Sequence, residues 1–410
     1  MSLKRTGGLT VVVLAGAVAR GPFEAGALSE LLPQVLDDLS NTVFLGTSAG
    51  AINAVSWARF ATPKRALREV GRDVEGLWRS IDYDEVLRPL STTTLGDVVG
   101  LLRGFLTGQS ATSLLDASPL RKTVQRELDS DAIAANLAGK GVRGVGVVAT
   151  ACGAKVASGR SHLFLQTAPQ QPLRFQSSPD SSIDIYPAQL NVEHVLASSA
   201  VPVFFQPVRM QVENKWQYYI DGGVRLNTPI WPAVALGADR IIVVSSHTAH
   251  YARNESSPEQ FGMADAFARV LHTVLADGMI EDLRRLREAN HRVRQAREAK
   301  AAKQGKATRD VPTNRHGREL REIEYIDVSP TPGTLAELAR SAVDSSQNGH
   351  RLNLNRLRYK FVQQVLGTFG AGPGQNELLS YVFFDPVFAD LQFEFGRQCA
   401  RDAAARDWQT

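Results

Sequence analysis

Gly46-Thr47-Ser48-Ala49-Gly50 sits between a short apolar run, Asn41 to Leu45, and a run from Ala49 to Phe60 that opens with small residues. The first run reads as a strand and the second as a helix, so the pentapeptide spans a strand-to-helix turn. A G-x-S-x-G turn in that context can display a nucleophilic serine. Gly46 and Gly50 suit it because the turn is tight and crowded neighbours leave no room for side chains. The hydroxyl of Ser48 then stands at a helix N-terminus, where the dipole favours developing negative charge. The bland alternative is an ordinary turn in which Ser48 is only an N-cap.

The same alternation begins earlier. Leu9 to Leu14 is β-branched and apolar, as a strand buried on both faces should be. Pro22 can open a helix, with Phe23, Ala27, Leu28 and Leu31 at helical spacing. Strand, turn, helix, repeated, implies a parallel sheet with helices on its faces. Further strands are expected at Val145–Ala151, His162–Leu165 (edge or hairpin), Trp216–Ile220 and Ile241–Ser245, so the α/β unit is expected to end near 250. Lys4, Arg5, the following apolar run and Ala17-Val18-Ala19 imitate a secretory signal; the buried first strand is the preferred reading. No internal repeat is evident.

A serine nucleophile needs a base. Asp221-Gly222-Gly223 follows the strand 216–220 and places a carboxylate at its end; Asp-Gly-Gly is equally good β-turn chemistry. Gly16-Ala17-Val18-Ala19-Arg20-Gly21 links the first strand to a helix, and its backbone N–H groups could form an oxyanion hole. It lacks the Gly-Lys-Ser/Thr of a P-loop and the G-x-G-x-x-G spacing of a dinucleotide site. His247 and His250 come after Ser48 and Asp221 in the order that a Ser–Asp–His α/β-hydrolase requires, although the serine arrives early for that fold; the simpler view is surface loop histidines. Eight histidines without H-x-x-x-H spacing, and only Cys152 and Cys399, give no metal site or disulfide framework, and no cofactor is expected.

The Gly-rich loop, the G-x-S-x-G some 30 residues later and the late D-G-G together resemble the patatin-like phospholipases. Ala197-Ser198-Ser199-Ala200-Val201-Pro202, continuing to Phe205-Gln206-Pro207-Val208, and Asn227-Thr228-Pro229 are similar to further segments of that family. The resemblance covers roughly residues 9–250, with a weaker likeness at Leu379–Pro386. It implies a three-layer α/β/α fold, a lipid or other ester substrate, and a Ser–Asp dyad without histidine. Ser48 would be the nucleophile, Asp221 the base, and Gly16, Ala17 and Val18 the oxyanion loop. Arg20 and Gly21, with Gly46, Gly50, Gly222 and Gly223, would support the motifs, Arg20 being structural or phosphate-steering. This chain departs from the family's run of three glycines, having Gly16-Ala17-Val18. Hydrolase and acyltransferase share the acyl-enzyme and are not separated by these motifs.

The expected organisation is a catalytic unit over 9–250, a long helix and basic loop over 251–330, and a helical extension over 331–410. One long helix or two joined helices, bent at Gly278, would span 257–304; Ile323–Val328 is β-rich, and helical stretches cover 335–367 and 376–405. Val98 to Leu106 forms an amphipathic stretch, either a packed core helix or a lid or lipid-facing helix. Of 410 residues, 46 are Lys or Arg and 42 Asp or Glu, a net +4 that conceals segregation: 284–321 holds 13 basic and 4 acidic residues. Such runs usually form a solvated face; attraction to anionic lipid headgroups is the better functional reading. A non-catalytic lipid-binding protein is therefore the rival from another class. Interleaved aromatics for base stacking are absent from 284–321, so no nucleic acid partner is expected. No apolar run is long enough to span a bilayer. The low cysteine count fits a reducing compartment, so the protein is expected to be cytoplasmic, with a peripheral membrane contact through 284–321 as the further expectation.

Overall fold

The computed structural model describes residues 3–4, 7–81, 88–89, 115–116, 118–153, 159–170, 172–173, 175, 182–202, 205–249, 261–304, 321–347 and 373–410. The 98–106 stretch, His250 and much of the basic loop lie outside the described residues.

Nine strands form one mixed sheet: β1 (Thr10–Leu14), β2 (Thr42–Thr47), β3 (Gly144–Cys152), β4 (Arg160–Thr167), β5 (Ile183–Pro187), β6 (Val208–Val212), β7 (Lys215–Asp221), β8 (Arg240–Val244) and β9 (Glu324–Val328). The order is β9-β8-β1-β2-β3-β4-β5, with β7 also on β3 and β6 on β7. The pairs β9/β8, β8/β1, β1/β2, β2/β3 and β4/β5 are parallel. The pairs β3/β4, β3/β7 and β6/β7 are antiparallel. β4 pairs with β3 as a hairpin partner would, but β5 covers its other side, so it is not an edge. β1, the signal-like run, is fully buried between β2 and β8.

Among the described residues the α-helices are α1 (Gly21–Val35), α2 (Ala49–Phe60), α3 (Leu67–Ser80), α4 (Ser118–Glu127), α5 (Ser130–Ala138), α6 (Val192–Ser198), α7 (Ile230–Ala235), α8 (Met263–His272), α9 (Gly278–Gln304), α10 (Thr334–Gln347), α11 (Pro373–Val382) and α12 (Pro386–Ala405). Strand residues alternate between two cores, as period-two pleating requires. Val12, Leu14 and Phe44 pack with Phe23, Leu28 and Trp57 of α1 and α2. Val11, Val13, Val43 and Leu45 pack with Ile230 and Ala233 of α7 and with Met279, Leu283 and Leu286 of α9. The result is the expected mostly parallel sheet flanked by helices, with a helical C-terminal region.

Three details differ from the sequence reading. The sheet runs past residue 250: β9 pairs in register with β8, Arg240 opposite Glu324 through Val244 opposite Val328. The helix over 263–304 is interrupted by a π-helical turn at Thr273–Asp277, whereas Gly278 itself is regular at φ −58° and ψ −41°. The stretch expected over 376–405 is two helices, because Asp385 caps a new one, accepting the N–H groups of Val387 and Phe388, and Pro386 sits at its first position.

Candidate active site

Ser48 and Asp221 are 173 residues apart in sequence, and β3 brings them together. Along one edge of β3, β2 pairs up to Thr47 opposite Val148, and β7 arrives from the other direction to place Asp221 opposite Ala149. The two strands therefore stop head to head on adjacent residues of β3, which brings Ser48, the residue after Thr47, to the end of the strand that carries Asp221. Ser48 is 4% and Asp221 5% exposed.

Ser48 joins β2 to α2 with φ 54° and ψ −122°, a strained conformation for a residue with a side chain. The turn closes because Gly46 and Gly50 approach without side chains: a Cβ on Gly46 would strike the Gly50 carbonyl, and one on Gly50 the carbonyls of Leu14 and Ala15. The Ser48 side chain does not cap the helix, which leaves the N-cap alternative without its defining bond. Its N–H donates to Ser198 Oγ at 2.8 Å, where α6 ends.

Asp221 Oδ1 accepts the Gly223 N–H at 2.7 Å, and the Asp221 N–H donates to Ala200 O at 2.9 Å. Burial pushes its carboxyl up to about 6, against the Ser48 hydroxyl and the Gly223 N–H, which both favour the charged form. No hydrogen bond of ordinary geometry joins the hydroxyl to the carboxylate, and Oδ2 has no partner among the described residues. Gly222 packs its backbone against the Val148 carbonyl, and Gly223 faces Asn227.

In the Gly-rich loop the Gly16 N–H is already engaged by Asn227 O at 3.1 Å. This corrects the expectation that Gly16 is an oxyanion donor. Among the described residues the N–H groups of Ala17 and Val18 meet no backbone acceptor. Val18 holds φ 50°, for which a β-branched residue loses about 1–2 kcal/mol. A short 3-10 turn, Val18–Arg20, leads into α1, and Gly21 opens α1 hard against the Trp78 ring. Arg20 is 2% exposed and engaged by Glu377, Ser380 and Tyr381. Of the two roles expected for it, this burial fits the structural one.

Asn227 has a geometry that its motif did not reveal. Its Nδ2 donates to Gly16 O at 3.2 Å and to Leu275 O at 2.9 Å. A π-helical turn leaves a carbonyl without its usual partner, and Leu275 lies in that turn. One side chain thus ties the Gly-rich loop to the long helix. A cleft opens at Ser48, lined by Val18, Ile52, Leu120, Val124, Val201 and Phe205.

His247 is not the surface loop histidine expected. It is 1% exposed, and its ring stacks at 5.8 Å on Tyr381. Burial, with Arg20 and His272 nearby, holds its pKa well below the ordinary value, so it is neutral. Its polar contacts are with Ser245, and none joins it to Ser48 or Asp221.

No curated protein matches the chain. The crystal structure of VipD from Legionella pneumophila aligns at 13% identity with a TM-score of 0.29, over 79% of this chain and 62% of that one. The present chain thus spans less than two thirds of that protein, and a likeness so distant decides nothing about the site. The sequence profile of the patatin-like phospholipases matches residues 12–234, more than half of the chain and including both Ser48 and Asp221, so this protein belongs to the patatin-like phospholipase family.

Proposed function

We propose that the protein is a lipid acyl hydrolase that cleaves carboxylic esters through a Ser48 acyl-enzyme, with Asp221 as general base. Asp221 takes the hydroxyl proton as Ser48 Oγ attacks the ester carbonyl. The N–H groups of Ala17 and Val18 stabilise the tetrahedral oxyanion. Collapse expels the alcohol, which recovers the proton from Asp221. Water, deprotonated by the same carboxylate, then releases the fatty acid and regenerates Ser48. The observation that carries this reading is the head-to-head ending of β2 and β7 on β3, which sets a strained serine beside a buried carboxylate of raised pKa. The apolar cleft at Ser48 suits an acyl chain. A fluorophosphonate probe should label the wild type and not Ser48→Ala, and ester hydrolysis should vanish with the label. Hydrolysis at the wild-type rate in Ser48→Ala would end this reading.

Contact with an anionic lipid surface belongs to the same proposal. The basic segment 284–321 supports it, as do Met263, Val270 and Val274, which are 69%, 59% and 49% exposed on α8 and its π turn. The arginines are partly offset: Arg284 pairs with Glu281 and Glu288, and Arg294 and Arg297 with Glu322. Sedimentation with anionic vesicles at low salt, lost at high salt and with neutral vesicles, is the expected result. Equal binding under all three conditions would remove the electrostatic part.

A further inference from the structure

Beyond the 12–234 match, two C-terminal helices grip the Gly-rich loop from behind. Arg20 Nη2 donates to Glu377 Oε1 at 2.6 Å, and its Nε to Ser380 Oγ at 3.0 Å. Its guanidinium lies 3.7 Å from the Tyr381 ring centre. All three partners are on α11. From α12, the fully buried Gln392 donates through Nε2 to Ala19 O at 3.1 Å. The Arg20 N–H in turn donates to Ala17 O at 2.9 Å, closing the turn that contains Val18. Val18 at φ 50° is the wrong residue type for that backbone, and a strained conformation persists only where its surroundings over-determine it.

We infer that α11 and α12 form a clamp, through Glu377, Ser380 and Gln392, that holds Ala17–Arg20 in the conformation presenting the Ala17 and Val18 N–H groups to the reacting carbonyl. These are positioning residues: they act through Arg20 and Ala19 and do not touch the substrate. The inference rests on the reading of Ala17 and Val18 as oxyanion donors. It gives the C-terminal extension a part in the reaction. It also explains how a loop with valine at a left-handed position keeps one shape. Without the clamp, Val18 would return to negative φ and turn the donors away, whereas a glycine there would have no such preference.

The test is a double-mutant cycle on the full chain with a water-soluble ester. Glu377→Gln keeps the side-chain volume and removes the charge, and Gln392→Met keeps the length and removes the donor. Each should lower kcat about tenfold with KM within about twofold, because an oxyanion contact is made in the transition state. In the Val18→Gly background the same substitutions should cost less than about threefold. Near-UV circular dichroism identifies the folded variants, and Ser380→Ala stands in where either fails to fold. Unchanged kcat in folded variants, or the same factor in both backgrounds, overturns the clamp and leaves mere packing. That outcome differs from failure of the Ser48 reading, in which Ser48→Ala itself retains hydrolysis.

Discussion

Ser198 Oγ accepts the Ser48 N–H at 2.8 Å, across 150 residues of sequence. Both residues are buried, so the bond fixes the sharp turn after β2 against the end of α6. Ser198→Ala leaves a buried N–H without a partner, which costs about 1–3 kcal/mol. The turn would also shift, and small misplacements of a nucleophile reduce turnover by up to about 100-fold. Urea unfolding and kcat on a soluble ester should both move; if neither does, this bond positions nothing.

Ser48 itself stores strain. At φ 54° and ψ −122° it occupies a region that glycine tolerates and alanine does not. Ser48→Gly and Ser48→Ala should both be inactive. The glycine variant should nevertheless be more stable than the alanine variant by about 1 kcal/mol. Equal melting temperatures would mean that the turn relaxes when the hydroxyl is removed.

Asp221 sets a pH dependence of unusual sign for an aspartate. Its carboxyl titrates at about 6 when folded, against 3.8 for the free group. The folded state therefore holds this proton more tightly, and the group's contribution to stability is fully present below about pH 4 and lost as pH rises through about 6. Asp221→Asn keeps the acceptor for the Gly223 N–H and removes that penalty. It should stabilise the fold by up to about 3 kcal/mol at pH 7–8 and by nothing near pH 4. Wild-type kcat/KM should rise with pH through about 6 as Asp221, the proposed base, ionises, and the asparagine variant should lack that limb together with the activity. A variant no more stable at pH 8 than the wild type would show that burial does not strain this carboxyl.

Much of this arrangement was legible because it is local. The elbow needs Gly46 and Gly50 within one strand-to-helix turn, and β-branched runs such as Val11–Val13 announce their burial by composition. Asp221 was visible as the end of a strand, but the reason it meets Ser48, the shared edge of β3, is a matter of register. The hold of Glu377 on Arg20 spans 357 residues and has no periodic or motif signal. The β-rich character of Ile323–Val328 does not say where β9 pairs, because a parallel strand at the end of the sheet is defined by its neighbour, here β8. The loss of the Gly16 N–H to Asn227 was invisible for the same reason: backbone donors carry no sequence mark.

The cleft beside Ser48 gives the last prediction. Ile52 lies one helical turn after Ser48 on α2 and lines the cleft together with Val201 and Phe205, on the chain that leads to Asp221. An acyl chain bound there buries one methylene after another, each gaining about 0.8 kcal/mol, or about fourfold in kcat/KM where contact is complete. For a series of soluble esters, kcat/KM should therefore climb with chain length until the cleft is full. Ile52→Trp adds bulk just past Ser48, so it should lower kcat/KM for long-chain esters by about tenfold or more while leaving a butyrate ester within about threefold. The ratio between long and short esters is the readout, because a general loss of folded protein lowers both equally. An unchanged ratio would place the acyl chain elsewhere than between Ile52, Val201 and Phe205.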